Sequence, residues 1–451
     1  VSSRASASAL TAAADPAARE MDSAGRSVRP WRLRPAEEGI KVSRLEVFFD
    51  LVFIYALSNV ARATFGDHTP DGLLRGVLVL ALLWWCWISY VWVGNSVHAG
   101  EGWMPIVIFV VMAAVFTVAL TLPEAFVDLP GGSNGPLVFA GCYFVIRMLS
   151  LVVFRQVTRH DRPVRRLAFR LAVPVFTATG LLVLSAYLPG RVFGVDRFPI
   201  QVVLWTLAVA VEYAGGFPVG GRRWRIVSAA HWTERYELII IVTLGELIIS
   251  VGTGINPLSW SISWPVICAA VLGIAVTATL WWAYFDVIAL AAQLAMRNAH
   301  AYARVALARD GYVYLHLPMV AGIITLAVGA EDLLKQLSDR GVPLEQPLDP
   351  AGTYLMFAGV GIFLLGHLGF QLRVLGTVTW TRVGAIVLLV VLTPVAVSVP
   401  ALASIGILAS IGLALAVAEL IVLAGSRRAL REAVLEEHHA HAAREAERWW
   451  R

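Results

Sequence analysis

Arg44-Leu45-Glu46-Val47-Phe48-Phe49-Asp50-Leu51-Val52-Phe53 opens an apolar segment with an arginine, a spacer and a glutamate. The same opening returns at Arg235-Tyr236-Glu237-Leu238-Ile239-Ile240-Ile241-Val242-Thr243-Leu244-Gly245-Glu246. A Leu-Trp-Trp triplet follows each copy after a similar interval, at Leu83-Trp84-Trp85 and at Leu280-Trp281-Trp282. Crossing a hydrocarbon core takes about 20 apolar residues at a rise of 1.5 Å each, and runs of that length recur along the chain. The repeat therefore places carboxylates in lipid-embedded helices, where a charge is costly unless it has a partner or a task. A duplicated membrane protein with a charged interior is the first expectation.

Composition points the same way. Of 451 residues, 58% are hydrophobic and 15% charged, and the mean hydropathy is +0.72. A soluble chain of this length needs far more polar surface. The pattern predicts an all-α fold, a polytopic transmembrane helical bundle of about twelve spans in two parallel six-helix repeats. The first six spans fall at about 47–63, 73–93, 104–122, 136–154, 167–188 and 199–215. The second six fall at about 236–252, 264–286, 311–329, 352–372, 383–399 and 401–423, the last two divided by Pro400.

Arginines lie in alternate loops: Arg155, Arg159, Arg162, Arg165 and Arg166, then Arg222, Arg223 and Arg225, then Arg297, Arg304 and Arg309. The loop 123–135 carries neither Lys nor Arg. By the positive-inside rule this predicts both termini on the cytoplasmic side. The net charge of +5 then reads as a topology signal, not as affinity for nucleic acid. The domain reading is a cytoplasmic, disordered tail over 1–43, repeats over 44–218 and 219–425, and a charged tail helix over 426–451. In that tail His438, His439 and His441 form an exposed cluster. Cys86, Cys142 and Cys268 all fall inside spans and read as small apolar residues.

Asp50 lies one helical turn beyond Glu46, and Arg147 stands in the fourth span at a comparable depth. They are expected to form a structural ion pair. Glu246 is placed near the bilayer midplane on a polar stripe with Thr243, Ser250 and Thr253, beside Gly245. His316 and His367 fall in spans of the second half, either as hydrogen-bonded core residues or as part of a proton relay or metal site. No metal and no cofactor is assigned. Asp286, Glu212 and Glu419 lie toward the cytoplasmic ends of their helices, where snorkelling can account for them. The polar residues gather toward the cytoplasmic side, which predicts a one-sided vestibule with a dry outer half.

With these residues in view, the chain resembles the bacterial low-temperature-requirement A (LtrA) family. The resemblance rests on Glu46 through Phe53, Arg147, His231, Glu234-Arg235, Gly245-Glu246, Trp281-Trp282-Ala283-Tyr284-Phe285-Asp286, His316 and Gly366-His367. It implies a multi-span inner-membrane protein and supplies no reaction. After the second span, Asn95-Ser96-Val97-His98-Ala99-Gly100-Glu101 departs from the aromatic and acidic run usual in that family.

Three functions fit the sequence. The first is gradient-driven, proton-coupled solute transport through embedded carboxylates, with Glu246, Thr243, Ser250, Trp281, Trp282, Tyr284, His316 and His367 as substrate-binding candidates. The second is an intramembrane acid–base enzyme, with Glu246 or Asp50 as the acid acting on a lipid-like or isoprenoid substrate among tryptophan walls. The third is a structural or membrane-sensing protein. Expected partners are the bilayer and a small or lipid-like molecule, without nucleic acid.

Overall fold

A computed structural model describes residues 39–65, 69–126, 134–159, 162–191, 197–216, 226–254, 263–339 and 341–430, with Leu33, Ala36 and Glu432. The expectations for the 1–38 tail, most of the 426–451 tail with its histidines, and Arg222, Arg223 and Arg225 lie outside the described residues.

The first six long helices are α1 (Arg44–Phe65), α2 (Pro70–Gly94), α3 (Met104–Thr121), α4 (Gly135–Val157), α5 (Arg162–Arg191) and α6 (Arg197–Gly216). Then come α7 (Ala229–Thr253), α8 (Trp264–Phe285) and two short helices, α9 (Ile288–Asn298) and α10 (Ala301–Leu307). A π-helical turn, Ala308–Tyr314, leads into α11 (Leu315–Ser338). The last three are α12 (Pro350–Leu375), α13 (Trp380–Ser398) and α14 (Ala401–Val422). Each expected span coincides with one long helix, and α13 and α14 are separate, broken at Pro400 as proline requires.

Among the described residues, ten helical stretches are long and apolar enough to cross a membrane. α6 contributes a shorter apolar stretch, Pro199–Gly215. α1 is a 22-residue helix that carries Arg44, Glu46, Asp50 and Arg62. Proline opens several helices at their first turn, where its missing N–H leaves no hydrogen bond unmade.

α1 packs on α2 and α3, α3 on α4, α4 on α5, and α5 on α6, while α2 also touches α4 and α6. In the second set α7 packs on α8 and α11, α11 on α12, α12 on α13, and α13 on α14, while α8 also touches α12 and α14. The two sets meet where α1 lies against α7 and α11.

The closest helix pair is α11 with α12. A Cβ added at Gly322 would lie 2.5 Å from the Gly359 carbonyl oxygen, and one at Gly359 would lie 2.6 Å from the Leu326 nitrogen. Lipid does not drive helices together as water does, so small residues that let backbones approach supply the association. Gly322→Ala is expected to lower stability by about 1–3 kcal/mol, because backbone atoms cannot yield as a side chain can. Gly361→Ala on the same helix pair, where nothing lies within 4 Å, is expected to be neutral. Thermal unfolding in detergent compares the two, and equal melting temperatures would refute the close-approach argument.

Candidate functional site

Four charged clusters among the described residues lie between the long helices, and their distribution between the two helix sets is what matters. The first begins at the start of α1. Ser43 and Glu46 form a capping box: Ser43 N–H donates to Glu46 Oε2 at 2.9 Å, and Glu46 N–H donates to Ser43 Oγ at 3.3 Å. That orientation leaves Glu46 Oε1 facing α7, where His231 Nε2 lies 3.0 Å away. Asp50, one turn on, accepts from Arg235 Nη2 at 2.8 Å and from Trp87 Nε1 at 2.7 Å. Arg235 Nη1 stands 4.0 Å from Glu46 Oε1. Two carboxylates of α1 therefore face one arginine and one histidine of α7, all four buried.

The surroundings hold this cluster in place. Asn95, just past α2, donates to the Ser228 carbonyl at 2.7 Å and accepts from Val227 N–H at 2.8 Å. Gly94 has no room for a side chain, since its Cβ would fall 2.4 Å from Glu46 Oε1. Arg235 Nε and Nη1, Asp50 Oδ2 and His231 Nδ1 are buried without a protein hydrogen bond. Glu46 and Arg235 also border a cavity of about 10 Å³, the space of a single water.

The second cluster lies about 18 Å further along α1, at 1.5 Å per residue. Arg62 Nη2 donates to Glu246 Oε1 of α7 at 2.6 Å and to Ser250 Oγ at 3.3 Å. Its Nε lies 3.3 Å from Glu331 Oε2 of α11, whose other oxygen is 2.8 Å from Lys335 Nζ. This cluster also joins the two sets, at the opposite end of the same interface.

The remaining two clusters stay within one set each. In the first set, Glu212 of α6 accepts from Tyr143 Oη and from Arg147 Nε and Nη2, the latter at 2.8 Å. In the second set, Arg382 of α13 donates from Nε to Glu419 Oε1 at 2.6 Å and from Nη2 to Glu419 Oε2 and the Ala283 carbonyl. Its Nη1 meets His367 Nδ1. Because arginine only donates, His367 Nδ1 is the acceptor here and the ring proton sits on Nε2. Beside this cluster Tyr284 Oη lies 2.8 Å from His316 Nε2, in an aromatic enclosure that includes Tyr236, Tyr312 and Phe370.

Several expectations change. The Asp50–Arg147 ion pair is not formed: Asp50 is taken by Arg235 and Arg147 by Glu212. Asp50 faces α7, while Arg147 faces α6. Glu246 stands further along its helix than expected, because α7 begins at Ala229, well before the expected start. The half expected to be dry carries charge, since Arg62, Glu246 and Glu331 meet there. Of the substrate-binding candidates, Ser250 joins Glu246, and Tyr284, His316 and His367 come together. Thr243 bonds its own helix at the Ile239 carbonyl. Trp281 is 46% exposed on the outer surface, and Trp282 lies under the Arg427 guanidinium that binds Asp286.

The chain carries its match to the family model for bacterial low temperature requirement A protein (LtrA) over residues 41–417, which takes in the four clusters apart from Glu419. It belongs to the LtrA family. An uncharacterized protein of Rhizobium meliloti (strain 1021) is 30% identical over 314 residues, covering 67% of this chain and 71% of that protein. No solved structure matches. The LtrA chain is thus a membrane protein whose charged residues pair in a way that sequence reading missed at Arg62, Glu331 and Arg382. His231 and Arg235 stood in the recognised LtrA motifs, and their spacing of four on one helix face was the available signal that they act together.

Proposed function

We propose that this protein is a gradient-driven transporter in which two equivalent six-helix halves rock against each other, with ion pairs between the halves closing each end in turn. One observation carries the reading. The α1–α7/α11 interface between the halves has a charged cluster at each end, Glu46–Asp50–His231–Arg235 and Arg62–Glu246–Glu331. The other two clusters brace single halves and do not cross it. Alternating access needs this division, with rigid halves and breakable contacts at both ends of their interface. The matching order of helix neighbours in the two sets supports their equivalence. With both clusters intact, the conformation corresponds to a state closed at either end.

Charge balance supports a proton as the coupling ion. The first cluster sets two carboxylates against one guanidinium, so it is neutral when His231 carries a proton and has a net negative charge when it does not. The charged groups around His231 are Glu46 and Asp50 of α1 and Glu234 and Arg235 of α7. A proton on His231 strengthens this closure, and its transfer elsewhere weakens it. The second cluster contains no histidine; there Lys335 faces both Glu331 and Asp332. Arg155, Arg159, Arg297, Arg304 and Arg309 lie at the His231 end of the bundle, which supports a cytoplasmic location for that end. An acid–base enzyme using Asp50 or Glu246 is less well supported, since both carboxylates are bound to arginine.

The test uses proteoliposomes loaded with a soluble cell extract. Under an imposed pH gradient at least one small solute is expected to leave faster than from protein-free liposomes, with a change in internal pH. In His231→Gln the dependence on the gradient is expected to fall about tenfold. Chemical conversion of a lipid-like compound without any solute movement would contradict transport.

A further inference from the structure

We infer that the cleft bounded by α2, α4, α5, α6 and the π-helical turn is a binding site for an anionic amphiphile, a molecule with one phosphate or carboxylate head and a hydrocarbon tail. This cleft is separate from the clusters that join the halves, and the inference does not depend on the transport reading. It holds about 90 Å³ and is walled by Trp85 and Trp92 of α2 and Phe154 of α4. Its polar groups are Arg147, Glu212 and Arg309, with the Ser89 and Ser150 hydroxyls committed to carbonyls of their own helices.

Charge decides the sign of the ligand. Glu212 is bound by Arg147, and Asp310 is bound by both Arg309 and Arg373, so each carboxylate here is already held by arginine. Arg147 spends Nε and Nη2 on Glu212, and Nη1 makes no hydrogen bond to the protein. A buried guanidinium with a spare pair of N–H donors at the base of an apolar cleft is an anchor for an oxyanion. Arg309 stands at the mouth, with its side chain 24% exposed.

Position decides the rest of the molecule. On the α4–α5 side the cleft is lined by Phe154, Leu171 and Pro174, of which Phe154 and Leu171 are partly exposed. The adjacent outer surfaces carry Val152 and Phe169, 45% and 60% exposed, which in a membrane means facing lipid. The Arg155 guanidinium lies 4.8 Å from the centre of the Phe169 ring and adds a second cation at the rim. A head group can therefore enter from the polar boundary of the bilayer while its tail stays in the hydrocarbon, along the tryptophan wall. Trp85 is fixed for this contact by stacking on Tyr213 at 4.6 Å. The π-helical turn supplies Arg309 and Tyr314 to the site, and such turns are frequent at functional positions.

The experiment labels the full chain in nonionic detergent with a diazirine-bearing palmitate and maps the adducts by peptide mass spectrometry. Expected is saturable labelling in α2 near Ser89–Trp92 and in α4 near Leu151–Phe154, displaced by anionic competitors. Stronger displacement by phosphatidylglycerol identifies a bilayer lipid as the ligand, and stronger displacement by farnesyl phosphate identifies a free amphiphile. Ser89→Phe, which fills the cleft, is expected to abolish labelling there, and Arg309→Gln to weaken it about tenfold. Arg147 is left intact, because removing it strands Glu212. Labelling that does not saturate, that phosphatidylcholine displaces equally well, or that persists in Ser89→Phe would overturn the assignment.

Discussion

Arg382→Met is expected to leave little folded protein, the largest single-residue effect in the bundle. Arg382 is 1% exposed and ties four helices: it binds Glu419 of α14 twice, His367 of α12 and the Ala283 carbonyl of α8 from its own place on α13. Its removal strands a carboxylate, a carbonyl and an imidazole nitrogen together. Breaking a buried ion pair from one side costs about 3–5 kcal/mol, against a net stability of about 5–15 kcal/mol for a typical fold. The double change Arg382→Met with Glu419→Leu removes both charges and is expected to recover much of the loss, since a hydrophobic replacement of a whole pair is often neutral. Monodisperse yield in detergent and melting temperature report both outcomes. Normal yield from Arg382→Met alone would mean that the cluster does not brace this half.

The second large effect concerns the clusters that join the halves, and its expected character is different. Arg62→Gln and Asp50→Asn should each give folded protein whose interface opens, at opposite ends. Arg62 is 33% exposed and its loss leaves Glu246 and Glu331 only partly shielded, so repulsion between them separates α7 and α11 from α1 at that end. Asp50→Asn removes the acceptor that holds Arg235 and frees α7 at the other end. Leu57→Cys on α1, buried between the two clusters, serves as a reporter after Cys86, Cys142 and Cys268 are replaced by alanine. A membrane-impermeant thiol reagent is expected to react about tenfold faster from the Arg62 side in Arg62→Gln, and from the opposite side in Asp50→Asn, a shift of about 1.4 kcal/mol in each opening equilibrium. Faster reaction from the same side in both variants would contradict the assignment of the two ends.

The helices were readable because lipid imposes one simple demand, about 20 apolar residues bounded by charge or proline. Pro400 alone separated α13 from α14 correctly. The charges of α1 were legible too, but not that α1 buries Asp50 and Glu46 against α7. Pairing was much less legible. Helical periodicity gives the direction of a side chain around its own axis, but the partner depends on how helices far apart in sequence are rotated relative to each other. Asp50 and Arg235 are 185 positions apart, and no local pattern links them. Arg62 escaped notice because an arginine near a helix end ordinarily snorkels. Its role came from two glutamates on separate helices. The π-helical turn before α11 was also invisible, since its backbone register leaves no mark in the hydrophobic pattern.

Distances between spin labels placed across the α1–α7 interface at both ends, measured by pulsed electron resonance in lipid nanodiscs, test the rocking of the two halves most directly. In the unaltered protein both distances should be short. His231→Gln should lengthen the Glu46–His231 distance while the Arg62–Glu246 end stays short, and Arg62→Gln should do the reverse. Two ends that widen together, or distances that respond to neither substitution, would show a rigid bundle and contradict the account.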